Sequence, residues 1–401
     1  MSFFLLAAWT ILSVSLQAAT AAPAAAATRL VDAAASDSNR RLLELAFSAV
    51  TAIPADPHQA DRSKAQMEVV EECLAEGQLA TAARFADRID DWRRGLAYAR
   101  LAEAIAPEGD SPEVRRYLAL AAVTASNAED WRPARIRMVI ARANARLGAE
   151  DEVARLEALI GPEEAGKLGT VRAELGDASR FDAVRADLDA AIATRQMDPA
   201  RWALEAYAAW HRRLYADAER RSSIEASIRG GWNAVPIPIQ FDLILELADA
   251  ALAAGDPEGA RRLLADAAAY LTAHQWIIEE RLRMSAEIAS RRFGAGEADL
   301  ARAMLAEAFA DFRRDRLTIV DIERASVLRA FAEAQAAMGD RVALAATYGE
   351  ALDEGFVNPN SRPRATDFSA TCLSMTRTEF EPDAAMQERM DALRARLGDP
   401  W

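Results

Sequence analysis

Seven glycine turns punctuate this chain, and their spacing limits what it can fold into. Gly77-Gln78, Gly109-Asp110, Gly148-Ala149, Gly176-Asp177, Gly255-Asp256, Gly296-Glu297 and Gly339-Asp340 each lie between two alanine-rich stretches of helical periodicity. The step is 39 residues from Gly109 to Gly148, 41 from Gly255 to Gly296 and 43 from Gly296 to Gly339. A period of that length predicts stacked helical hairpins, each too thin to bury its apolar face alone. A binding scaffold is the leading functional expectation, and the sequence does not name what is bound.

Aligned on the turn glycine, the chain repeats a packing code. Eight residues before it stand Val69, Leu101, Ile140, Leu168, Leu247, Ile288 and Phe331. Seven before it stand Val70, Ala102, Ala141, Gly169, Ala248, Ala289 and Ala332, of which only Val70 exceeds alanine in size. Apolar residues recur five, eight and twelve places after it, as in Ala260, Leu263 and Ala267. These offsets mark one buried stripe on each of two helices. The glycine suits the left-handed C-terminal cap of the first helix, and Ser111-Pro112 and Asp256-Pro257 pair an N-cap with proline at the next position of the second. Tyr215-Ala216-Asp217 holds the turn of a degenerate eighth unit, and a ninth hairpin is expected over roughly 363–376 and 383–397, its last helix a polar cap.

This pattern resembles the tetratricopeptide-repeat superfamily over nearly all of the mature chain. The likeness rests on the large–small pair before the turn and the small residues five and twelve after it, and the repeats are longer than the family's ~34 residues. The resemblance implies an all-α solenoid: a right-handed superhelix of eight or nine antiparallel hairpins with a concave groove for peptides or proteins. It also implies that the first helix of each hairpin lines the groove. That places Arg135, Met138, Arg142, Trp210, Arg213, Asp242, Asp249, Arg283, Arg329 and Glu333 there as partner-binding candidates.

Two stretches break the regularity. Gly148 and Gly176 are only 28 residues apart, with Gly161-Pro162, Gly166 and Gly169 between them. Gly230-Gly231, Pro236 and Pro238 interrupt helix near residue 235. The expected organisation is therefore an N-terminal half over 41–229, a joint over 230–239, and a C-terminal half over 240–401, with a bend or a division into subdomains at the joint.

Residues 1–28 carry no charge, and Phe3 to Leu16 is an apolar run shorter than the ~20 residues of a membrane span. With the small residues Ala19 and Ala21 before Ala22, this reads as a signal peptide over 1–21 followed by a flexible tail over 22–40, so an exported, periplasmic or extracellular protein is expected. The net charge of −14 argues against general nucleic-acid binding. Cys73 and Cys372 lie near opposite ends of the chain, and an extended solenoid would keep them apart as buried free thiols.

The search for chemistry finds no catalytic motif. None of His58, His211 and His274 precedes glutamate, no phosphate loop or nucleophile elbow occurs, and neither a metal nor a cofactor is expected. The segment from Trp202 to Arg221 concentrates Trp202, Tyr207, Trp210, His211, Arg212, Arg213 and Tyr215, the residue types of interface hot spots. Aromatics filling a bend explain the same residues and are preferred. Arg135, Arg142 and Arg146 form a ladder suited to clamping a carboxylate, with ordinary surface ion pairs as the simpler account. Asp91-Trp92-Arg93 and Asp130-Trp131-Arg132 recur in one register, which helix capping and a tryptophan wedge between hairpins explain. The leading expectation is a non-enzymatic scaffold binding a protein or peptide, and the alternative is a cell-wall or carbohydrate-active enzyme on a helical-repeat or toroid scaffold.

Overall fold

The computed structural model describes residues 30–401 apart from residue 177, and the side chains of all these except 162–164. The expected signal peptide over 1–21 and residues 22–29 of the expected flexible tail lie outside the described residues. The rest of that tail is held in place, since Asp32 accepts from the Thr81 amide and hydroxyl and the first helix opens at Asp37. The described residues hold nineteen α-helices and no strand. Nine alternate helices form an inner layer: α2 (Ala55–Ala75), α4 (Arg93–Ile105), α6 (Arg132–Arg146), α8 (Leu168–Leu175), α10 (Met197–Arg213), α12 (Ile237–Ala253), α14 (Ile278–Gly294), α16 (Asp321–Ala337) and α18 (Ser361–Arg377). Outside them lie α1 (Asp37–Thr51), α3 (Leu79–Ala86), α5 (Pro112–Asn127), α7 (Glu150–Ala165), α9 (Phe181–Ala193), α11 (Ala218–Gly231), α13 (Pro257–Ala273), α15 (Ala298–Asp315), α17 (Arg341–Glu354) and α19 (Ala384–Ala395).

The turns form for the reason the glycines imply. Gly77, Gly109, Gly148, Gly255, Gly296 and Gly339 all have positive φ, and at Gly255 the amides of Gly255 and Asp256 donate back to Leu252 and Ala251. Asp256 then accepts from the Gly259 amide at 2.8 Å, and Ser111 from the Val114 amide at 3.2 Å. Gly176 departs from the set: its φ is −66°, and a Cβ there would lie 2.7 Å from the Trp210 ring, so close packing requires this glycine. The large–small pair is core as expected, with Leu247, Ala248, Ile288, Ala289, Phe331 and Ala332 at most 1% exposed.

Neighbouring inner helices run parallel. Arg291 reaches Asp249 one repeat back and Arg283 reaches Glu323 one repeat forward, so both ends of the helices stay in register. The succession then closes on itself, where an open superhelix was expected. Helix α18 neighbours α2, and α1 packs along α18 as closely as α4 packs on α5. The ninth hairpin is thus made from both ends of the chain, α18 paired with α1. The expected pairing of α18 with the last helix is replaced, and α19 instead fills the outer layer between α17 and α1. Its Arg389 donates to the Gly349 carbonyl at 3.1 Å, Asp391 meets Arg41 at 2.5 Å and Arg394 meets Ser48 at 2.8 Å. One apolar cluster joins Leu42 and Phe47, Phe368 and Cys372, Met390 and Val69 across the closure. Cys73 and Cys372 are both buried and free, in the adjacent helices α2 and α18.

The stretch near residue 235 does not divide the core. A second buried cluster runs from Ala173 through Val235 to Ala295, and the expected joint is a short turn between α11 and α12 within it. The expected tryptophan wedge is only half formed: Trp92 meets Trp131 edge to face at 5.2 Å, but Trp131 is 55% exposed, while Asp91 accepts from the Arg93 amide at 2.9 Å.

Candidate functional site

Parallel inner helices turn one face toward a central lumen, and that wall is built largely from arginine–carboxylate pairs linking successive helices. Across the closure, Arg377 of α18 meets Glu72 of α2 at 2.6 Å and Glu333 of α16 at 2.8 Å. Arg142 of α6 meets Glu103 of α4 at 2.8 Å, and Arg146 meets Glu174 of α8 at 2.9 Å. Asp249 of α12 takes Arg291 of α14 in a two-point pair at 2.8 and 3.0 Å. Arg283 meets Glu323 at 2.7 Å, and Arg329 meets Asp367 at 3.1 Å. Glu103 is nearly buried; burial opposes its charge, yet Arg142 and Arg100 outweigh that and hold its carboxyl below the usual range.

Among the described residues no such pair joins α8 to α10 or α10 to α12, and there the wall opens into a cavity of about 640 Å³. Arg100, Arg135, Arg142, Lys167, Arg201 and Arg212 supply its cations, Glu205 and Glu246 are among its carboxylates, and Leu96, Met138 and Trp202 give it apolar surface. Arg135 and Arg212 have no ion pair among the described residues, although Arg135 lies 6.0 Å from the Trp131 ring. Glu246 is pushed up by burial, against the pull of Arg212 and with the support of Glu205 and Asp242. Asp242 and Glu287 are likewise raised, by the partial loss of surrounding water, although each keeps an exposed side chain.

The expected groove residues therefore take three kinds of place, Arg142 sharing two of them. Arg135, Met138 and Arg142 come together in the cavity. Arg142, Asp249, Arg283, Arg329 and Glu333 are committed to pairs within the wall, while Asp242 stands among the carboxylates beside them. Trp210 is not in the lumen. It is 3% exposed and meets Phe181 edge to face at 5.6 Å, the packing role its size favours. Arg213 is exposed and does not line the cavity; the adjacent Arg212 does. The sequence reading missed Arg201, Trp202, Glu205, Ala209 and Arg212 as a set. Their spacing of one, four, eight and eleven residues from Arg201 is a helical stripe, which was the available signal.

His211 is fully buried, with Glu225 at 3.3 Å, and no group of metal-binding side chains occurs among the described residues. No described helix is long and apolar enough to cross a membrane.

The helix contacts define the class: an all-α tandem repeat protein whose hairpins close into a ring. No protein-family model matches the chain, and no curated protein matches its sequence. Among solved structures it is similar to a "circular tandem repeat protein with novel repeat topology and enhanced subunit contact surfaces", at 15% identity over 90% of this chain and 96% of that one. The TM-score of 0.31 is too low to carry weight, and the closure rests on this chain's own contacts.

Proposed function

We propose that this protein is an exported, non-enzymatic ring scaffold that holds a segment of a partner protein or peptide in its lumen. The observation that carries the reading is the break in the ion-pair wall. Arg135 and Arg212 face one cavity with no salt bridge among the described residues, although Arg212 pulls on the charge of Glu246, and they stand beside Met138 and Trp202. Two such arginines suit a carboxylate of an acidic peptide or a chain terminus, and the apolar residues suit a neighbouring side chain. The tetratricopeptide-like register of the inner helices supports the same reading, and the uncharged leading segment supports export.

The test is a peptide-library screen against the mature chain, followed by calorimetry on the selected peptides. Arg135→Ala with Arg212→Ala is expected to weaken binding at least tenfold, since a hydrogen bond to a charged group contributes roughly 1.5–3 kcal/mol. Unchanged affinity in a variant of native helicity removes the cavity from the account.

A second reading, a carbohydrate-active hydrolase, is favoured by one observation: Glu246, raised by burial, shares the cavity with Glu205 and Trp202. Turnover of a wall or sugar substrate that is abolished by Glu246→Gln would put this reading first.

A further inference from the structure

We infer that the shortened fourth repeat is a binding site for a small amphipathic carboxylate, separate from the lumen. Helix α8 has 8 residues, against 15 in α6 and 17 in α10. The missing turns leave a cavity of about 440 Å³ between the inner and outer layers. Ala145, Gly169, Val184, Leu188 and Ala206 line it, and Trp210 forms part of the same wall.

The cavity occupies a place that the other repeats fill. Twelve residues after the turn glycine, Ile89, Ala121, Ile160, Ala267, Ala308 and Ala351 are all buried. Leu188 holds that position here and is only half-buried, as is Val184 one turn earlier. These are core-register side chains without their cover. An apolar hole costs stability, and its size falls within the roughly 300–1,000 Å³ of small-molecule sites.

The mouth indicates the polar end of the ligand. Arg172 and Arg180 stand there with Glu150 and Asp187. Arg172 is held by Glu157 at 2.8 Å, whereas Arg180 has no ion pair among the described residues. An acyl chain of medium length would cover Leu188, Val184 and the Trp210 wall while its carboxylate meets Arg180. A volume of about 440 Å³ suits such a molecule rather than a polypeptide.

The experiment uses the whole mature chain and the fluorescent anion 8-anilino-1-naphthalenesulfonate, displaced by decanoate. One saturable site per chain, emptied by decanoate and less readily by decanol, is expected. Val184→Phe fills the cavity from its half-exposed side and should abolish both binding and displacement without lowering the Tm. Gly169→Val is the second filling variant, because an added Cβ there meets only Ala206, at 3.5 Å. Arg180→Ala should weaken decanoate about tenfold and leave decanol unchanged. Failure of decanoate to displace the dye, or displacement unaltered in both filling variants, would overturn the assignment. Neither result would touch the lumen reading, whose test uses Arg135 and Arg212.

Discussion

Asp367 shows how the ring's interior treats charge. It lies on α18, 7% exposed, and burial pushes its carboxyl up to about 6 despite Arg329 at 3.1 Å. A carboxyl whose folded pKa exceeds its unfolded value of 3.8 stabilises the fold most when protonated. That contribution is full below the unfolded value and is lost as pH rises through about 6. A difference of this size corresponds to an upper figure on the order of 3 kcal/mol. Urea unfolding should therefore show Asp367→Asn losing less stability than the natural chain between about pH 4 and about pH 7. Equal losses would mean that Arg329 neutralises the burial cost entirely. At this scale the sequence was only partly legible. Arg135, Met138 and Arg142 fall on one wall as the groove offsets imply, because they lie on a regular hairpin whose turn glycine anchors those offsets. Trp210 and Arg213 were misplaced because they lie in the unit whose turn has no glycine, where the alignment that assigns faces has no anchor.

The helices themselves were legible wherever turn chemistry is local. Positive-φ glycines and Asp or Ser caps impose their geometry on the next few residues, so six of the seven turn glycines have positive φ; five directly follow an α-helix as expected, while Gly109 follows a 3-10 turn with ψ −179°. Gly176 failed because its smallness serves contact with Trp210, a tertiary demand invisible in the repeat code. Gly95 is the clearest case of such a demand. It is buried on α4, and a Cβ there would come within 2.5 Å of the Thr124 side chain on α5 and 3.2 Å of Ile136 on α6. Gly95→Ala is expected to destabilise by roughly 1–3 kcal/mol, because overpacking forces two helices apart. Thermal unfolding checks this, and an unchanged or higher Tm would show that the α4–α5 contact is looser than described.

Closure belongs to the whole molecule and was not readable from any repeat. It depends on small rotations summed over nine hairpins, and no single residue encodes that sum. The N-terminal helix carries the same apolar periodicity as any outer helix, and nothing local marks it as the partner of one more than three hundred residues later. The consequence is a lumen in place of an open groove. Apart from Trp210 and Arg213, the expected groove residues then line that lumen, where arginines and carboxylates of neighbouring helices largely satisfy each other, and binding is assigned to the sector where they do not.

The most direct test of the ring is a distance across its closure. Arg362 of α18 and Asp61 of α2 meet at 2.6 Å with both side chains half exposed, while Cys73 and Cys372 are buried away from labelling. Spin labels on Asp61→Cys and Arg362→Cys should give one narrow distance on the order of 20 Å, about two helix diameters. A broad distribution centred beyond about 40 Å, as eight open helix-to-helix steps would produce, would contradict the closed ring.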